Sequence, residues 1–254
     1  MKKPETNAEA ISERAKAQYV STICRPDLAA PSQLIASRVN KRIPDAVHDV
    51  KALVKYCNRT ASLGLSFVKI DLSTARINLF TDAAFANGEN LTSQIGFLVI
   101  LSDGSNAANI LHYGSSKCKR VTRSVLAAEL MALVHGFDQA FVIQHTLHEI
   151  LGRNLPIDAY VDSRTAFNFV AKNADTMEKR LQIDANALRQ SLQQGELRSI
   201  GWIPGTENPA DAFTRKCLPS ENHPLIRLMK SNKLEVKRTG WTDMGASSTQ
   251  KEKQ

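Results

Sequence analysis

The chain has 254 residues, with 33 Lys+Arg against 25 Asp+Glu for a formal net charge of +8, and 43% of its residues are hydrophobic. That length holds one large domain or two small ones, the apolar fraction supplies a core, and a disordered or collagen-like chain is excluded. The longest apolar run, 95–101, falls far short of the roughly 20 residues of a membrane-spanning helix, so no membrane span is expected.

Residues 1–17 are polar, and 237–254 are rich in Gly, Ser, Thr and Lys, so both ends are expected to fray or serve as linkers. Met1-Lys2-Lys3 has the charge of a leader, but Pro4-Glu5-Thr6-Asn7 follows where an apolar stretch is needed, which predicts an intracellular protein. Cys24, Cys57, Cys118 and Cys217 form no C-x-x-C pair and read as reduced thiols. A weak helical pattern covers 31–39. Between 45 and 60, Val47, Val50, Val54 and Cys57 recur at three- and four-residue steps behind the start signal Pro44-Asp45, which predicts an amphipathic helix. Residues 1–74 therefore read as a small helical segment.

The pattern then changes. Ile77, Leu79 and Thr81 alternate with Asn78, Phe80 and Asp82, and the runs 95–101 and 109–113 are also strand-like, separated by Asn87-Gly88 and Asp103-Gly104-Ser105 turns. A long helix is predicted over 123–147, with Leu126, Leu130, Leu133, Phe137 and Phe141 on one stripe. A strand at 157–161, helices at 164–172 and 178–193, a strand at 197–203 and a last helix opening at Asn208-Pro209 complete the order βββ-α-β-α-α-β-α. That order predicts an α/β domain with a mixed five-stranded sheet flanked by helices over 75–218, followed by an extension, 219–254, with a partly disordered tail.

Four acids stand where a solvated face would not put them. Asp82 ends an apolar strand, Glu129 borders the buried stripe of the long helix, Asp162 closes the strand 157–161, and Asp211 lies early in the predicted last helix. Their convergence would make a hard-oxygen site for divalent metal, at which two ions could activate a water and stabilise the leaving oxygen of a phosphodiester.

Phe80-Thr81-Asp82-Ala83, the helix with Ala127-Ala128-Glu129-Leu130-Met131-Ala132-Leu133, the strand end Tyr160-Val161-Asp162-Ser163 and the segment Trp202-Ile203-Pro204-Gly205-Thr206-Glu207-Asn208-Pro209-Ala210-Asp211 together resemble the ribonuclease H domain of copia-type (Pseudoviridae) retrotransposon polyproteins. Upstream, Ser21-Thr22-Ile23-Cys24-Arg25-Pro26-Asp27-Leu28 and Thr60-Ala61-Ser62-Leu63-Gly64-Leu65 are similar to the thumb and connection that end the reverse transcriptase of those polyproteins. The resemblance implies Asp82, Glu129, Asp162 and Asp211 as the catalytic metal ligands. It further implies two Mg²⁺ ions, with Mn²⁺ as an alternative, and an RNA–DNA hybrid whose RNA strand is cut to 5′-phosphate and 3′-hydroxyl ends. A reverse transcriptase polymerase domain would be the partner, in a cytoplasmic virus-like particle or the nucleus. The Tyr-x-Asp-Asp signature of the polymerase is absent.

Departures bear on activity. Ala84 stands where the family often has a second Asp, Leu181-Gln182-Ile183-Asp184 replaces a common Lys-His-Ile-Asp, and 205–210 contains no His. A catalytically weak or inactive hybrid-binding module is therefore the alternative. A 3′→5′ exonuclease would want an Asp-x-Glu pair, which Asp82-Ala83-Ala84 does not provide. Lys117, Lys119, Arg120 and Arg123 cluster before the helix that carries Glu129 and are candidate phosphate contacts, with Arg164, Lys179 and Arg180 as further ones. Trp202 reads as a core residue of its strand, and His112, His135, His145 and His148 as structural or surface residues.

Overall fold

The computed structural model describes residues 1–40, 46–172 and 179–236. The start signal Pro44-Asp45, the first residue of the helix expected from 178 and the tail 237–254 lie outside the described residues. Three helices open the chain: α1 Asn7–Ile23, α2 Ala29–Asn40 and α3 Ala46–Arg59. The polar first segment is helical from Asn7 onward and is not a linker there. Thr6 and Glu9 form a reciprocal capping box at its start, and the buried positions Ala10, Glu13, Ala17 and Ser21 recur at helical steps. These residues are small or polar, so the stripe carries no hydrophobic signal, yet the small Ala10 and Ala17 let α1 pack closely on α2 and α3. Buried Arg25 forks onto Asp27 and also donates to Thr60, which ties the end of α3 to the turn after α1.

The sheet contains β1 Arg76–Ala84, β2 Gln94–Ser102, β3 Ala108–Lys117, β4 Ile157–Val161 and β5 Ser199–Trp202, in the spatial order β3-β2-β1-β4-β5. β1, β2 and β3 form an antiparallel meander, whereas β4 and β5 run parallel to β1. Helices α4 Val125–Leu151, α5 Arg164–Ala171 and α6 Lys179–Gln194 cover one face. There Ile77, Leu79, Val99, Ala159 and Ile200 meet Leu130, Leu133, Phe137 and Leu188. A Cβ on Gly136 of α4 would come within 2.7 Å of Thr81 and 3.0 Å of Leu79, so glycine here lets α4 lie directly on β1. α4 is long and apolar enough to cross a membrane by length and composition, but half of that stretch is buried within the fold, as in a core helix.

The other face is covered too. Phe80, Leu98, Ile100 and Tyr160 pack against Phe213 and against Leu225, Ile226, Leu228 and Met229 of a seventh helix, α7 Pro224–Ser231. The strand alternation thus separates two apolar faces. The segment containing Asp211 is a short 3-10 turn, Pro209–Phe213, and not the last helix, because α7 follows it. The helical segment is joined to the sheet by Tyr113, whose hydroxyl donates to Ser21 O at 2.7 Å, and by Gln94, which donates to Gln33 at 3.0 Å.

Candidate metal centre

Three acids meet where β1, α4 and β4 converge. Asp82 lies on β1 opposite Gly96 of β2. A Cβ on Gly96 would sit 2.6 Å from the Cβ of Phe213, so only glycine lets the turn Pro209–Phe213 close over β2 beside Asp82. Thr214, at the end of that turn, donates its hydroxyl to Asp82 Oδ2, and fully buried Asn208 donates to the carbonyl of Thr81 at 3.0 Å. Glu129 sits early in α4, behind a start capped by Ser124 Oγ, which accepts from the amide of Ala127 at 3.1 Å. Asp162 follows the last residue of β4, and Ser163 caps α5 immediately after it.

Asp82, Glu129 and Asp162 each present a carboxylate oxygen within 4.8 Å of the others. Burial, with the charges of Asp162 and Asp211 behind it, pushes the Asp82 carboxyl up to about 7. Burial and the neighbouring Asp82 and Asp162 push Glu129 up to about 9, and burial raises Asp162 as well. The Oε2 atom of Glu129 is buried without a hydrogen-bond partner. An all-oxygen cluster that resists its own ionisation and leaves a buried acceptor unmatched is suited to a hard divalent cation.

Asp211 stands apart from that trio. Arg215 Nε donates to its Oδ1 at 2.5 Å, and His223 Nε2 lies 3.4 Å from its Oδ2. The other nitrogen of His223, Nδ1, accepts from the amide of Leu225 and caps α7. Nothing in the chain's motif pattern marks His223 as a partner of Asp211. Its available signal was His-Pro ahead of a short apolar run, a helix start with Pro at the first position.

The candidate phosphate contacts are dispersed along the surface. Lys117 ends β3, and Lys119, Arg120 and Arg123 are exposed on the way to α4. Arg120 is engaged with Asp184 of α6 at 3.3 Å, within the altered Leu181-Gln182-Ile183-Asp184 stretch. Exposed Arg164 stacks over Trp202, 4.4 Å from its ring centre. Lys179 and Arg180 open α6 and are exposed. Trp202 packs against the core with part of its surface, but its indole N–H donates to the carbonyl of Asp162 at 2.8 Å, so it belongs to the site's frame as well.

No protein-family profile matches the chain. A secreted RxLR effector protein of Plasmopara viticola is 27% identical over 135 residues, which cover 53% of this chain and 90% of that protein. The ribonuclease H1 of the archaeon Halobacterium salinarum is 19% identical, with a TM-score of 0.37 over 58% of this chain and 96% of its own. The LC11 ribonuclease H1, from a compost metagenome and solved with an RNA/DNA hybrid, is also 19% identical, with a TM-score of 0.43 over 56% of this chain and 96% of its own. At these low similarities, the fold rests on strand order and the site on its side-chain geometry.

Proposed function

We propose that the chain is a metal-dependent endonuclease that cuts the RNA strand of RNA–DNA hybrids during retrotransposon reverse transcription. The observation that carries this reading is the convergence of Asp82, Glu129 and Asp162 from three separate elements, with carboxylate oxygens within 4.8 Å and Glu129 Oε2 buried and unmatched. Oxygen donors alone suit Mg²⁺ or Mn²⁺ better than zinc or copper. A divalent ion held there would supply charge stabilisation on the phosphoryl oxygens and a more acidic water. Asp82, fixed by Thr214, would hold the ion from the centre of the sheet, with Glu129 and Asp162 on either side. Asp211, steadied by Arg215 and His223, would complete the set for a second ion. Lys117, Lys119, Arg120, Arg123 and Arg164 would draw in the strand by its phosphates.

In this reading residues 75–218 carry the nuclease, 1–74 the thumb- or connection-like segment next to a polymerase domain, and 219–254 an extension. The site of action would be a cytoplasmic virus-like particle or the nucleus. Cleavage of an end-labelled hybrid should require Mg²⁺ or Mn²⁺, leave 5′-phosphates and vanish in Asp82→Asn and Glu129→Gln. Wild-type rates in either variant would refute the assignment.

A second reading, a hybrid-binding module with weak or no catalysis, is favoured by one feature: Asp211 lies outside the trio and is paired with Arg215 at 2.5 Å. Salt-sensitive hybrid binding without cleavage in either metal would select it.

A further inference from the structure

Trp202 ends β5 opposite Val161 of the parallel strand β4, one residue before Asp162. Its indole Nε1 donates to the main-chain carbonyl of Asp162 at 2.8 Å, which fixes the height of that acid above the sheet. The face of the same ring carries Arg164, with the guanidinium carbon 4.4 Å from the ring centre. Ser163, between Asp162 and Arg164, caps α5 by accepting the amide of Ala166 at 3.2 Å, so the backbone that presents both residues is tied at two points. A guanidinium held over an aromatic ring by cation–π attraction keeps N–H groups that face away from the ring, and pairing with a phosphate is what those groups do best. The contact also removes much of the rotamer freedom that an exposed arginine would lose on binding.

We propose that Trp202 is a positioning residue that holds Arg164 ready as a clamp for a backbone phosphate of the bound nucleic-acid strand, directly beside Asp162. The clamp deepens the hybrid-nuclease reading and rests on it for where the strand lies. One indole thereby registers both a carboxylate of the centre and the cation that would fix the substrate's phosphate. The recognised group is sequence-independent, so the clamp would set register along the strand without choosing bases.

The test is hybrid binding by the full chain in an Asp82→Asn background, read by anisotropy of a labelled hybrid across a salt series. Arg164→Ala is expected to weaken binding about threefold to tenfold and to lower the salt slope by about one phosphate contact. Trp202→Leu should match that loss, the double variant should be no worse than either single one, and Trp202→Phe should keep most of the affinity because a stacking face remains. An unchanged affinity and slope in Arg164→Ala, or losses that multiply in the double variant, would overturn the clamp. Because Trp202→Leu could fail to fold, a second measurement uses Trp241→Phe, which leaves Trp202 as the sole tryptophan. Saturating hybrid must then change its emission, and unchanged emission counts against the proposal. A chain that binds with the Arg164-dependent slope yet never cleaves sinks the nuclease reading and leaves the clamp standing. A chain that cleaves normally with an inert Arg164 sinks the clamp alone.

Discussion

Thr214 donates its hydroxyl to Asp82 across 132 positions of sequence, and its own backbone is held by the 3-10 turn that contains Asp211. This single contact ties the last acid of the chain order to the first. Thr214→Val keeps the shape and leaves the buried carboxylate short of a donor. The loss is expected to be about 1–3 kcal/mol of stability at a pH where Asp82 is ionised. Thr214→Ser should recover most of it. Denaturant melts of the three proteins decide the matter, and a valine variant as stable as wild type would show that the contact contributes nothing.

The stability of the metal-free chain should fall with rising pH. Asp82 and Glu129 have folded values raised to about 7 and about 9 from ordinary values of 3.8 and 4.5. Over that interval the native state binds more protons than the unfolded one, so the contribution of the neutral carboxyls is complete below about pH 4 and lost as pH climbs through 7 and 9. A divalent ion held by these carboxylates would replace the missing protons. Thermal melts in EDTA should therefore decline from about pH 5 to about pH 9, and added Mg²⁺ should raise the midpoint more at the alkaline end. A midpoint in EDTA that stays level or rises over this range would contradict the buried, crowded acids described above.

Asp82 and Asp162 were legible in the sequence because each lies at or near the end of a strongly patterned strand, and Glu129 because it borders a long apolar stripe. The mixed sheet followed from the same patterns. The first helix was not legible, since its buried stripe is Ala10, Glu13, Ala17 and Ser21 and carries no apolar periodicity. Nor was α7, whose eight residues are too few for periodicity to stand out. The position of Asp211 turned on tertiary packing, because a 3-10 turn capped by Asn208 and a regular helix opening at Asn208-Pro209 begin with the same residues. Trp202 matched a strand pattern, but which atoms its indole N–H would reach was not written in that pattern.

Arg215 occupies one carboxylate oxygen of Asp211 and would compete there with a cation. It donates to Oδ1 at 2.5 Å, and its charge also favours the ionised forms of Asp82 and Asp162. The side chain is 66% exposed, so its hold on Asp211 is weakened by solvent. Arg215→Ala is expected to tighten Mn²⁺ binding by about two- to fivefold, the range of an exposed ion pair. Calorimetric titration of the metal-free chain measures this directly, and Arg215→Lys should fall between the two. Weaker Mn²⁺ binding in the alanine variant would mean that Arg215 supports the metal arrangement of Asp211 instead of opposing it.

His223 serves two neighbours at once, and the two services can be separated. Nδ1 accepts the amide of Leu225 at 3.1 Å and caps α7, while Nε2 lies 3.4 Å from Asp211. His223→Asn places an acceptor near the position of Nδ1 and nothing at Nε2, so it should keep the cap and release Asp211. His223→Ala loses both, and the missing cap alone should cost about 1 kcal/mol. Since α7 seals the second face of the sheet through Leu225, Ile226, Leu228 and Met229, that cost should appear as a lower global melting temperature. The asparagine variant should melt near wild type yet cleave hybrid about tenfold more slowly, the low end for loss of a group that orients a metal-binding carboxylate, because the 3.4 Å contact is long. Equal melting temperatures and equal rates for wild type and His223→Asn would reduce His223 to a helix cap and leave the orientation of Asp211 to Arg215.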